Sequence, residues 1–167
     1  MSVSEERRIY SNKVGSDTEN MFVQACEAFG YKCEKTDTQT DIYLHIDYYI
    51  NRTDGSATSV DVKGGNYLNT IWVEFKNVCG SDGWVYGDAE FIAFDMPELF
   101  GFVMVKRKEL VEHCEKIVEK VFVPKYQATR KLYQRAGRKD VISRLEITDL
   151  QEINSYKIIK YAVSQNA

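Results

Sequence analysis

Asp47, Asp61 and Lys63 are the side chains whose types and spacing carry chemistry most directly. In the stretch Thr58-Ser-Val-Asp-Val-Lys63, positions i and i+2 of an extended strand face the same way. Asp61 and Lys63 therefore share one face, while Val60 and Val62 pack on the other. The preceding run is joined to this strand by Asn51-Arg-Thr-Asp-Gly-Ser56, where Asp54-Gly55 is a strong turn signal. Hairpin pairing then brings Asp47 alongside, so that two carboxylates and an ammonium crowd one edge of a sheet. Carboxylates are hard oxygen ligands suited to Mg2+, with Mn2+ as an alternative, and Mg2+ commonly binds one or two of them plus phosphate oxygens and water. Such an ion polarises a phosphodiester and eases deprotonation of its bound water, while a lysine can orient that water or offset charge in the transition state. Gly64 and Gly65 leave room for a ligand backbone to approach.

A second acid-x-lysine, Glu74-Phe-Lys76, lies on the next strand, and with Asp61 as first ligand it forms a rival register. Asp47/Asp61/Lys63 is preferred because it leaves one helix and one strand before the acidic hairpin. Glu74 and Lys76 then count as auxiliary groups, as does His45, which shares the face of Asp47. Glu19 follows Ser16 by three residues, which suits a capping box equally well as an auxiliary acid. Trp72, Trp84 and Tyr86 read as core or rim packing, and Asp82 and Asp88 as turn formers.

The elements that must position these residues follow from periodicity. Residues 16–30 read as an amphipathic helix with Phe22, Cys26 and Phe29 at helical spacing and Gly30 as its stop. A short extended piece at 31–36 precedes an alternating strand over 41–50, with Ile42, Leu44, Ile46, Tyr48 and Ile50 on one face. Strands at 58–63, 70–78, 89–94 and 100–105 follow. The period then switches, and Leu110, Val111, Cys114, Ile117, Val118 and Val121 predict a helix over 107–122. Val141-Ile142 and Leu145-Ile147 suggest extended structure, with a short helix capped at Thr148 after it. The order predicts one α+β or mixed α/β domain.

The chain of 167 residues, 44% hydrophobic and 28% charged, is long enough for one buried core and too apolar for a disordered polymer. No apolar run reaches membrane-spanning length, and the charged start Met1-Ser-Val-Ser-Glu-Glu-Arg-Arg lacks a signal-peptide pattern, so a cytoplasmic protein with no membrane partner is expected. Cysteines at 26, 33, 79 and 114 form no CxxC pair, and with His45 and His113 far apart they read as reduced packing thiols rather than zinc ligands. The net charge of −3 is unevenly spread: residues 124–144 hold Lys125, Arg130, Lys131, Arg135, Arg138, Lys139 and Arg144 against the single acid Asp140. Tyr126 and Tyr133 interleave with these cations, a composition suited to phosphates and stacked bases. Lys125, Arg130, Lys131, Arg135, Arg138 and Lys139 are the candidate nucleic-acid contacts.

Asp47, followed by Asp61-Val-Lys63 across a hairpin, resembles the signature of the PD-(D/E)xK nuclease superfamily. The resemblance covers residues 16–122 and extends to the segments Ala89-Glu-Phe-Ile-Ala-Phe94 and Phe102-Val-Met-Val-Lys-Arg107. It departs from the common pattern in having Ile46 before Asp47, Asp61 where Glu is usual, and an extra strand over 66–78. It implies a restriction-endonuclease-like fold with a nuclease core over 16–122 and a basic extension over 123–167. The implied activity is Mg2+-dependent DNA hydrolysis by a small phage- or mobile-element-type endonuclease in a prokaryotic cell. Asp47 and Asp61 would be metal ligands, Lys63 catalytic and Glu19 an added acid from the first helix. Branched or single-stranded DNA and a homodimer fit the same class. The alternatives are a catalytically silent nuclease-like factor that binds nucleic acid or protein, and a protein-binding module whose basic segment docks on an acidic partner.

Overall fold

The computed structural model describes residues 3–64 and 68–162, with side chains described for all of these except 3–14 and Ser16. The first helix, α1, spans Val3–Ala28, so it runs through Ser16 instead of starting there, and Ser16 is not an N-cap. Its end is as expected. Gly30 has φ of 84°, its N–H donates to Glu27 O at 2.9 Å, and Tyr31 N–H donates to Cys26 O at 3.1 Å. These two bonds satisfy carbonyls the helix would otherwise leave open, in a left-handed conformation that glycine adopts without a Cβ penalty.

Strand β1 (Lys32–Lys35) follows, and then the expected strand over 41–50 divides. Its first half is a short helix, α2 (Thr38–Leu44), capped by Asp37, whose Oδ1 accepts from Thr40 N–H at 2.8 Å. The local cap prevails because none of these helical residues is buried, so no sheet face rewards the alternation. The second half is strand β2 (Tyr48–Asn51), and β3 (Ala57–Lys63) returns antiparallel to it through the 51–56 turn. Strand β4 (Thr70–Lys76) leaves this sheet. Strands β5 (Phe91–Met96) and β6 (Gly101–Lys106) rejoin it, with β5 parallel to β3 and β6 antiparallel to β5. Helix α3 (Arg107–Ile117) is shorter than its apolar stripe implied: residues 119–122 form strand β7, paired with β8 (Lys131–Leu132), and all four are exposed. Strand β9 (Val141–Glu146), helix α4 (Ile147–Gln151) and strand β10 (Lys157–Lys160) complete the chain. The cap of α4 is Glu146 with Asp149, not Thr148.

Among the described residues the main sheet has the order β1-β2-β3-β5-β6-β10, and β4 pairs antiparallel with β9 in a second, two-stranded sheet. Alternation along β5 shows the layering. Phe91 and Ala93 join Phe22, Cys26, Val60, Val62 and Phe102 in a core under α1. Ile92, Phe94 and Met96 join Ile71 and Val73 of β4, Leu145 of β9 and Leu110 of α3 on the opposite side. The result is a mixed sheet in one α+β domain, covered by α1 on one face and by α3 and the small sheet on the other. The C-terminal residues are built into both sheets. All four cysteines are free thiols, and Cys26 and Cys114 are buried among apolar side chains.

One close approach ties this frame to the chemistry. A Cβ on Gly87 would lie 2.8 Å from the His45 Cβ and 2.9 Å from Leu44 O, and Asp88 N–H donates to Leu44 O at 2.8 Å. The turn of 3-10 helix at Trp84–Tyr86 therefore docks against the α2–β2 corner only because residue 87 lacks a side chain. Gly87→Ala is expected to cost about 1–3 kcal/mol through overpacking, a fall in Tm of roughly 2–10 °C that thermal denaturation would read.

Candidate active site

The two faces of β3 separate as the strand period requires. Val60 and Val62 enter the core under α1, while Asp61 and Lys63 face the small sheet. Asp61 is 2% exposed, and its Oδ1 accepts from Lys63 Nζ at 2.9 Å. Its Oδ2 is buried with no hydrogen-bond partner. Lys63 Nζ also lies 5.2 Å from the centre of the Trp84 ring, the residue that the Gly87 turn delivers.

Asp47 arrives from the strand that pairs with β3. His45 adopts a left-handed conformation (φ 53°), which turns the chain out of α2 and into extended structure. Asp47 N–H then donates to Val60 O at 2.9 Å, and the Asp47 carboxylate reaches across so that its Oδ2 accepts from Val62 N–H at 2.7 Å. Where α2 diverts the chain from the ladder, a side-chain oxygen thus occupies the place of a strand carbonyl. Thr36 holds the other side, its N–H donating to Asp47 O at 3.0 Å. Asp47 is 7% exposed, with its carboxylate held by β3 and its backbone by Thr36 and Val60, and its charge and that of Asp61 act on each other.

Electrostatics registers that proximity. Burial and then the Asp61 charge push the Asp47 carboxyl up to about 6, against the opposing pull of the Val62 N–H and Lys63. Burial likewise raises Asp61, with Lys63 acting in the opposite direction. Asp41 on α2 is raised as well, by partial burial and then by the neighbouring Asp47 charge. Asp41 is a member of the cluster that sequence reasoning missed, because a strand over 41–50 gave it no distinctive place. The signal available was Asp37 three residues before Thr40, a helix start that would have separated Asp41 from the strand.

The other candidates distribute around this centre. Glu19 sits in the middle of α1, where its Oε2 accepts from Lys35 Nζ at 2.5 Å and Tyr48 Oη at 3.2 Å. Its capping-box alternative falls with the helix start. His45 is lowered by burial and then by Lys63, and it also feels Glu74, Asp41 and Asp47. Strand β3 is flanked by β2 and β5, so Glu74 and Lys76 are not on a strand beside Asp61. Glu74 approaches His45 from the small sheet, and Lys76 is exposed at the far end of β4. Gly64 leaves no ligand space on its Cβ side, because a Cβ there would meet Thr18 Oγ1 at 2.8 Å, so its role is helix-on-sheet packing. Gly65 lies outside the described residues.

The basic segment is partly neutralised. Arg130 Nη2 pairs with Asp149 at 2.7 Å, Lys131 with Glu119 at 4.0 Å, and Arg135 with the fully buried Asp140. Lys125, Arg138 and Lys139 are exposed and have no ion pair among the described residues.

Among the described residues no group of three or more His, Cys, Asp or Glu side chains is disposed to hold a metal ion. The donor set at the centre is a carboxylate pair, and its chemistry fits a hard divalent cation that takes its remaining ligands from water and phosphate. The orphaned Asp61 Oδ2 is the atom that such an ion would satisfy, since a buried acceptor left unpaired is costly. No helix among the described residues is long and apolar enough to cross a membrane. No protein-family model matches the sequence, and neither curated proteins nor solved structures show significant similarity to it.

Proposed function

We propose that this protein is a metal-dependent endonuclease that hydrolyses phosphodiester bonds in DNA. The observation that carries the reading is the buried Asp47/Asp61 pair, with Asp61 on β3 and Asp47 just before β2, Lys63 on one oxygen of Asp61 and the other oxygen of Asp61 unpartnered. Placing two mutually repelling carboxylates in a nearly dry position costs stability, and a polyanionic substrate with its counter-cation is what such a pair suits. Asp47 and Asp61 would hold Mg2+ or Mn2+, which supplies Lewis-acid polarisation of the phosphodiester when bound. Val62 N–H fixes one carboxylate oxygen of Asp47 and Thr36 anchors its backbone carbonyl, so the carboxylate is held in place before substrate arrives. Lys63, with its side chain 29% exposed, can turn its ammonium from Asp61 toward the attacking water or the reacting phosphate. Lys125, Arg138 and Lys139 would follow the phosphate backbone, while the paired Arg130, Lys131 and Arg135 shape the surface beneath it.

Incubation with supercoiled, linear and branched DNA tests the proposal. Cleavage of at least one form is expected in Mg2+ or Mn2+ and none in EDTA. DNA affinity should fall steeply with salt, because several phosphate contacts release counterions. Intact DNA in every metal-containing reaction would end the proposal.

A further inference from the structure

A cavity of about 350 Å³ is lined by Trp72, Glu74, Trp84, Lys125, Tyr133 and Arg135. Trp84 and Glu74 connect it to the acidic centre. Trp84 forms one wall and carries Lys63 Nζ 5.2 Å from its ring centre, and Glu74 lies close enough to His45 to act on its charge. Trp72 and Tyr133 form a tilted aromatic pair with centroids 6.1 Å apart, and Arg144 backs Trp72 with its guanidinium 5.7 Å from the ring. Tyr133 is fixed by two backbone bonds to Ile142, at 2.8 and 3.0 Å, so these walls are held by β-bridges instead of loose loops. Glu74 is held by its backbone in the β4–β9 ladder, its side chain makes no hydrogen bond or ion pair with another described residue, and Lys125 at the rim has no ion-pair partner among them.

We infer that this cavity receives an unpaired nucleobase of the substrate strand next to the cleavage position, with guanine as its preferred occupant. The inference rests on the nuclease reading for the source of the base. Aromatic walls around a gap favour the flat face of any base and are blind to its identity. Identity comes from Glu74. A carboxylate offers two acceptor oxygens and no donor. The Watson–Crick edge of guanine presents two adjacent donors, N1–H and N2–H, which match that pair. Adenine and cytosine set one amino donor beside a ring acceptor, which a carboxylate repels, and thymine flanks its single N–H with two carbonyls. Lys125 supplies the charge for the attached phosphate. The preferred substrate is accordingly DNA with an extruded, overhanging or single-stranded guanine close to the scissile bond, since a base inside a duplex cannot present this edge.

The chain has only two tryptophans, Trp72 and Trp84, and both line the cavity, so tryptophan fluorescence reads its occupation. Titration in EDTA with dGMP, dAMP, dCMP and TMP, corrected for absorbance, reads binding without any cleavage. Saturable quenching by dGMP is expected, at least about tenfold tighter than by the other three, the equivalent of about 1.4 kcal/mol. Glu74→Gln should erase the guanine preference, and Tyr133→Ala should weaken all four. Absence of saturable quenching, equal affinity for the four bases, or a guanine preference that survives Glu74→Gln would overturn the inference. The outcomes separate from those of the cleavage assay: DNA cleavage without dGMP binding removes the base site and leaves the nuclease, and dGMP binding without cleavage does the reverse.

Discussion

Asp61→Ala is expected to lower Mg2+-dependent DNA cleavage by three orders of magnitude or more while DNA affinity stays within about twofold. The size follows from what the carboxylate does. Asp61 supplies one of two protein oxygens to the proposed ion and is the group that positions Lys63 Nζ at 2.9 Å. Its loss removes a metal ligand and releases the amine together. A thousandfold loss corresponds to about 4 kcal/mol of transition-state stabilisation, within the range for deleting one preorganised charge partner. Binding should persist because the cations proposed to meet phosphate lie on the segment after α3 and none of them is paired with Asp61. Folding should persist as well: burial disfavours the charged form of Asp61, so truncation removes an unfavourable ion from the interior. The check is cleavage of the best DNA form by wild type and variant at matched protein concentration, with binding measured in Ca2+ or EDTA. Cleavage within tenfold of wild type would exclude Asp61 as a metal ligand and with it the proposed centre.

The parts of this site that were legible in the sequence are those fixed by strand period. Asp61 and Lys63 had to share a face once Val60 and Val62 were assigned to the core, and the Asp54-Gly55 turn brought the previous strand back beside them. What escaped was set by contacts distant in sequence or by the lack of a buried face. No residue of helix α2 is fully buried, so Ile42 and Leu44 imitate a strand stripe while the Asp37 cap decides the conformation. Val118 and Val121 continue the spacing of α3, yet 119–122 pair with residues 131–132 and lie open to solvent. Nothing local tells β4 to leave the main sheet. Its partner β9 lies far along the chain, and Ile71 and Val73 would suit either sheet equally well. The positive run at 124–144 looked freer than it is because the counter-charges of Arg130 and Lys131, Asp149 and Glu119, stand outside it. Trp84 packs in the core against Phe94 as its reading implied, and what lay beyond the sequence is the cavity it shares with Trp72, which exists only once β4 and β9 have paired.

Asp47→Asn is expected to stabilise the metal-free protein at pH 7.5 while suppressing cleavage, a pairing that separates a functional carboxylate from a structural one. In the folded protein the Asp47 carboxyl is raised to about 6, by burial first and the Asp61 charge second. In the unfolded chain it titrates near 3.9. Between these values the folded state holds a proton that the unfolded state has released, so the stability this group contributes falls as pH rises from about 4 to 6 and stays low above that window. The shift corresponds to about 2–3 kcal/mol, of which a neutral isostere should recover most. Asparagine keeps an oxygen for Val62 N–H, so the strand junction that depends on this acceptor is retained. For a chain of this length the gain in Tm is roughly 4–10 °C at pH 7.5, shrinking to about a third of that at pH 4.5 and toward zero only below about pH 4, where the unfolded chain is protonated as well. Mg2+ should narrow the gap from the other side by raising the Tm of wild type at pH 7.5 and leaving the variant nearly unmoved, because only the ionised pair gains from the cation. Thermal denaturation of both proteins at the two pH values, with and without Mg2+, reads all of this in one set of curves. Equal Tm values at pH 7.5 would mean that Asp47 bears no burden from its surroundings, and the electrostatic basis of the proposed centre would be lost.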